Sequence, residues 1–208
     1  MLKSFGALSA VALAVIASHS AVGANGLPPG VFPAERDYKQ APAGDYALDV
    51  QHTSVIAKVS HLGYSLSVFR FERVSGTLNW NPAQPSGSSL QVSVATASIA
   101  TPVPGFAAEL AGDGYLKSTT YPDATFVSTK FQKIDSTHGQ VTGQFTLLGK
   151  TAPLAFDVTL EGAGKGFMGH PRIGVEATAN IRPKDFGLPQ MLGDSIQLVI
   201  DSEFEQKH

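Results

Sequence analysis

Leu154-Ala155-Phe156-Asp157-Val158-Thr159-Leu160-Glu161 sets one large apolar side chain at every second position, with Asp157, Thr159 and Glu161 between them. Successive strand residues face opposite sides of a sheet, so this run is a strand with one dry face and one wet face. The pattern recurs on both sides of it. Downstream come Ile173, Val175, Ala177, Ala179 and Ile181, with Glu176, Thr178 and Asn180 between them, and then Ile196, Leu198 and Ile200. Upstream come Val141, Gly143, Phe145 and Leu147; Leu90, Val92 and Val94; Val74, Gly76, Leu78 and Trp80; Val55, Ala57 and Val59; and Tyr46, Leu48 and Val50. About eight short, evenly spaced, one-sided strands predict an all-β chain, an antiparallel sheet closed or folded on itself. Pro104 to Lys117 breaks the period, and Phe106, Leu110 and Leu116 there suit a short helix; Asp185 to Leu192 reads as a further turn.

The remaining composition narrows the function classes. Hydrophobic residues are 43% of the 208, enough for a core, whereas charged residues are only 15%. Fifteen Lys and Arg against 17 Asp and Glu, with no basic run, leave no electrostatic footprint for nucleic acid. With no Cys there is neither a disulfide, nor a thiolate metal site, nor a Cys nucleophile. At the N-terminus Lys3, the apolar run Ala7 to Ala17 and the small residues Val22-Gly23-Ala24 form a secretory signal pattern, with cleavage expected after Ala24 and a periplasmic or secreted product. Ser18-His19-Ser20 ends the apolar run well short of the roughly 20 residues a membrane span needs. Residues 25–43, rich in proline and without a period, read as an extended lead to a single domain over 44–208.

A barrel of about eight strands is either filled by its own side chains or holds one small ligand. Thr96, Ser98, Gly143, Ala177 and Ala179, small residues in the apparent inward phase, leave room for the second, and the periodicity alone leaves both open. Conventional chemistry is sparse. His52 and His61, with Asp49 or Asp185, offer imidazole and carboxylate for a metal-dependent enzyme or redox accessory, but nine positions apart on a strand they face opposite ways unless a bulge intervenes. Ser54 lacks a Gly-x-Ser-x-Gly elbow, and Gly149-Lys150-Thr151 lacks the leading glycine of a phosphate loop. Arg182 with Asp185 is either an ion pair locking a turn or a polar mouth. A third possibility is a stress-protective structural module whose interior is incidental.

A set of local motifs adds a resemblance. The run Asp49-Val50-Gln51-His52-Thr53-Ser54-Val55-Ile56-Ala57-Lys58-Val59-Ser60-His61-Leu62-Gly63 resembles the opening motif of the YceI-like family of secreted lipid-binding proteins. Val74-Ser75-Gly76, Ala97 to Thr101, Tyr121 to Thr129, Val141-Thr142-Gly143, Leu148 to Thr151 and Arg182 to Leu188 follow in the family's order, from Asp45 to about Glu205. Thr53 separates the usual adjacent His-Ser, Ala100 stands where Asp is usual, and Pro183 follows the Arg. The resemblance implies an eight-stranded antiparallel lipocalin-like barrel with one or two short helices. It also implies a non-catalytic periplasmic carrier without a cofactor or metal, holding a polyprenyl chain, isoprenoid quinone or fatty amide, with transient membrane contact for lipid exchange. By strand phase and motif position, the expected tail lining is Phe145, Phe156, Val158, Ala177, Ala179, Leu198 and Ile200, with Phe106, Leu110, Phe126 and Phe186 as end walls. The expected head-group contacts are His52, His61, Arg182 and Asp185.

Overall fold

The computed structural model describes residues 28–166 and 168–207; the expected leader, residues 1–24, lies outside them. Ten strands form the sheet: β1 (Gly44–His61), β2 (Ser65–Phe71), β3 (Val74–Trp80), β4 (Ser89–Ala95), β5 (Ile99–Ala100), β6 (Asp123–Lys133), β7 (His138–Leu147), β8 (Lys150–Gly164), β9 (Arg172–Ile181) and β10 (Ile196–Gln206). β3 pairs with the first part of β1 and β2 with its last part, from Val55 opposite Phe71 to His61 opposite Ser65. The two are therefore successive lengths of one arm, broken at Glu72-Arg73. β4 on β3 and β5 on β2 likewise form one arm, broken by a 3₁₀ turn at Thr96–Ser98. Counted as arms, the sheet is an eight-stranded antiparallel barrel, closed where β10 returns to β1.

The arms differ from the periodic segments in an instructive way. Tyr46–Val50 and Val55–Val59 are not two strands but one. Four residues of β1 between Asp49 and Ser54 lie opposite the single Ser202 of β10, and this bulge reverses the inward phase from even to odd positions. Val50, expected inside, is thereby 57% exposed, while Thr53 is buried. The place left over is taken by β6, whose own irregularity between Ser128 and Lys130 lets both Phe126 and Phe131 face inward although they are an odd number of residues apart.

Two short helices close one end of the barrel, called the floor end below. α1 (Phe106–Ala111) packs Leu110 into the core and sets Phe106 against Phe69, ring centroids 6.2 Å apart. α2 (Pro183–Phe186) begins with the proline expected of a first helical turn and ends at Gly187, whose φ of 81° suits glycine. Its Phe186 meets Phe145 edge to face at 5.3 Å. Neither helix, nor any other among the described residues, is long and apolar enough to cross a membrane.

At the other end the lead is tied to the barrel rather than trailing from it. Glu35 and Ala163 exchange both backbone hydrogen bonds, Ala41 is fully buried, and the buried Tyr46 hydroxyl donates to the Pro42 carbonyl at 2.7 Å. A 3₁₀ turn at Tyr38–Gln40, capped by the Asp37 carboxylate accepting from the Lys39 N–H, brings the Tyr38 ring onto Trp80.

Candidate ligand cavity

The barrel is not filled. An apolar cavity of about 240 Å³ runs between the inner faces of its strands. Leu78, Val92, Val158, Val175, Ala177, Leu198 and Ile200 wall it; Tyr38, Trp80, Pro85 and the β6–β7 hairpin from Lys133 to Gln140 line it at the end away from the helices. Three phenylalanines make the floor: Phe126, Phe145 and Phe156, the first and last packed edge to face at 5.1 Å. Beyond them lies packed core, in which Phe186, Leu110, Ile181 and Ala179 are all buried.

That division sorts the expected lining. Phe126, Phe145, Phe156, Val158, Ala177, Leu198 and Ile200 border the cavity. Ala179, Phe106, Leu110 and Phe186 do not, because the helices pack beneath the phenylalanine floor and turn that part of the interior into solid core. Of the small residues expected to leave room, only Ala177 does so. Gly143 is covered: a Cβ there would stand 2.4 Å from the Val127 carbonyl oxygen and 2.5 Å from the Phe126 ring. Thr96 and Ser98 belong to the 3₁₀ break, where the Thr96 hydroxyl donates to the Tyr121 carbonyl and the Ser98 hydroxyl to the Ala95 carbonyl.

The expected polar contacts are elsewhere. Arg182 and Asp185 form an ion pair at 2.8 Å beside α2, at the floor end and with the arginine 67% exposed. His61 ends β1 at that same end and is exposed. His52 sits on the bulge on the outer wall, its Nδ1 2.8 Å from Asp49 Oδ2. From Ser54 to His61 β1 rises through seven residue steps in regular register, about 23 Å at the ordinary strand rise, so His52 and His61 cannot share a metal ion. His52, His61 and Asp185 therefore do not make the metal site entertained above.

What does surround His52 is a charge network that strand pairing assembles and that the motif pattern did not reveal. Arg172, at the start of β9, donates from Nη1 to Asp49 and to Glu203, each at 2.7 Å, and from Nη2 to Glu205. Asp49, His52 and Glu203 bring their ligand atoms within 4.8 Å of one another, but the guanidinium already occupies the cation's place between the two carboxylates. Burial of Asp49 alone would raise its carboxyl. The bonds from His52 and Arg172 and the Gln51 N–H outweigh it and hold the group down at about 2. A carboxyl depressed in the folded state contributes stability above its unfolded value, near 4, and loses it as the pH falls toward 2. Asp49→Asn is accordingly expected to lower the Tm at pH 7 and to lie progressively closer to wild type between pH 4 and pH 2. Thermal melts of both proteins across that range check it, and a gap that stays constant with pH contradicts it.

A closed antiparallel barrel of this size is either filled by its own side chains or encloses one small ligand, and here an apolar cavity is left open above a packed floor. The chain belongs to the YceI-like family, whose domain matches residues 46–204. A UPF0312 protein of Pseudomonas putida is 35% identical over 168 residues, which are 80% of this chain and 88% of that one. The crystal structure of a Campylobacter jejuni YceI protein is 30% identical and superposes with a TM-score of 0.65, covering 73% of this chain and 91% of that one. A polyisoprenoid binding domain from Saccharophagus degradans, 16% identical, shares the fold with a TM-score of 0.59 over 78% of this chain and 98% of its own.

Proposed function

We propose that the protein is an exported, non-catalytic carrier that takes the hydrocarbon chain of an isoprenoid or similar long-chain amphiphile into its barrel, the leader having been removed after Ala24. The observation that carries this reading is the unfilled apolar cavity above the Phe126, Phe145 and Phe156 floor. Membership of the YceI-like family and the shared fold of a polyisoprenoid binding domain support it.

The energetics suit such a cargo. Each methylene taken out of water contributes about 0.8 kcal/mol, close to a fourfold gain in affinity. At about 240 Å³ the cavity is a little below the ~300–1,000 Å³ of pockets that enclose whole drug-sized ligands, so a long chain enters tail first and keeps its remainder at the mouth. Binding of saturated fatty acids from eight to eighteen carbons, each below its micelle concentration, is expected to tighten three- to fourfold per added carbon and then level off once the cavity is full. Affinity independent of chain length would exclude the reading. Transient contact with membranes for loading and delivery belongs to this proposal, as does the periplasmic or secreted location.

A further inference from the structure

At the end of the cavity away from the helices, three side chains from three separate parts of the chain meet. Tyr38, from the lead, stands edge to face against Trp80 at the end of β3, with centroids 6.1 Å apart. Lys133, at the end of β6, places its Nζ 3.1 Å from the Tyr38 hydroxyl and 5.0 Å from that ring's centroid. All three line the cavity. Their remaining hydrogen-bonding capacity is of one kind. The Trp80 Nε1–H is buried and has no acceptor among the described residues. The Tyr38 oxygen accepts from Lys133, which leaves its own proton to donate, and the ammonium has two further N–H groups. The rim's carboxylate, Asp135, is taken up by its own hairpin, accepting from the Thr137 and His138 N–H groups and from the His138 ring.

We propose that Tyr38, Trp80 and Lys133 form a head-group subsite for an anionic oxygen acceptor, a carboxylate or a phosphate, at the end of the chain that fills the barrel. This rests on the carrier reading above and specifies which amphiphiles the carrier selects. A buried donor without an acceptor costs free energy that a ligand oxygen recovers, and a ligand with only donors or a cationic head recovers none of it. The lead thus acts as part of the site: its bridge to β8 and its buried Ala41 hold Tyr38 against Trp80 and within hydrogen-bond reach of Lys133.

The test uses three probes, hexadecanoate at pH 8, hexadecyl phosphate and hexadecyltrimethylammonium, on the delipidated protein. Trp80 is the single tryptophan of the chain, so its emission reports events at the mouth directly. Wild type is expected to bind at least one of the two anionic amphiphiles at least tenfold more tightly than the cationic one, and which of the two is preferred separates carboxylate from phosphate. In Lys133→Met, read by the same emission, and in Trp80→Phe, read by calorimetry, that ratio is expected to fall toward one. Lys133 is solvent-exposed, so its replacement does not threaten the fold. Equal binding of all three probes by wild type, or an unchanged ratio in both variants, overturns the subsite while leaving the carrier. Failure to bind any of the three overturns the carrier reading and the subsite with it.

Discussion

Ala177→Phe is expected to reduce uptake of hexadecanoate by about 100-fold or more, about 2.8 kcal/mol, while leaving the thermal midpoint of the delipidated protein near that of wild type. Ala177 lies between Val158 and Ile200 on the inner face of the barrel, where its methyl group borders open space. A phenyl ring there displaces ligand rather than neighbours. The matched control is two residues along the same strand and on the same face. Ala179 lies in packed core, so Ala179→Phe overpacks it and is expected to cost about 1–3 kcal/mol or more, whatever the ligand. Melting curves and uptake measured for both variants separate the two sites. Equal destabilisation by both would mean that the interior beside Ala177 is as tightly packed as that beside Ala179.

The second large effect is at Gly143. Its missing Cβ is what lets β7 run beneath the Phe126 ring and beside the Val127 carbonyl. One of those two neighbours is backbone and cannot turn aside, so Gly143→Ala forces β6 and β7 apart at the floor. The expected loss is about 3 kcal/mol or more, which for a chain of this size is a fall in Tm of about 6–12 °C. Chemical denaturation gives the free energy directly; a change below about 1 kcal/mol would show that the sheet yields there more easily than its geometry indicates.

Where the backbone repeats regularly, the amino-acid pattern is sufficient to place side chains. The alternations along β7, β8, β9 and β10 put Phe145, Phe156, Val158, Ala177, Leu198 and Ile200 on the inside, and all six border the cavity. Periodicity fails where a strand is irregular. The bulge before Ser54 split β1 into two apparent strands, and the one between Ser128 and Lys130 hid β6, so eight periodic segments and eight barrel arms agree in number with one exchanged for another. β2 was obscured for a different reason: Leu66 and Val68 are exposed while Phe69 is buried, so its outer face is not polar and no contrast marks it.

Depth along the barrel is also invisible to a period of two. Ala177 and Ala179 have the same phase, yet one borders the cavity and the other is core, because α1 and α2 close the end to which Ala179 is nearer. Polar groups were the least legible. Motif position drew notice to His52, His61, Arg182 and Asp185, which the fold distributes over the outer wall and the floor end. Tyr38, Trp80 and Lys133 lie 42 and 53 residues apart along the chain and come together only through the lead and two strand ends. The single signal available for them was the lone tryptophan closing an otherwise aliphatic alternation, Val74, Gly76, Leu78 and Trp80.

Native mass spectrometry of the protein purified from its own source without detergent shows whether the interior holds the chain of an amphiphile. The expected mass exceeds that of the polypeptide by one amphiphile per chain, an excess removed by organic extraction, restored by hexadecanoate and absent from Ala177→Phe. A bare polypeptide mass, with no uptake by the extracted wild type, would mean that the interior holds no such chain.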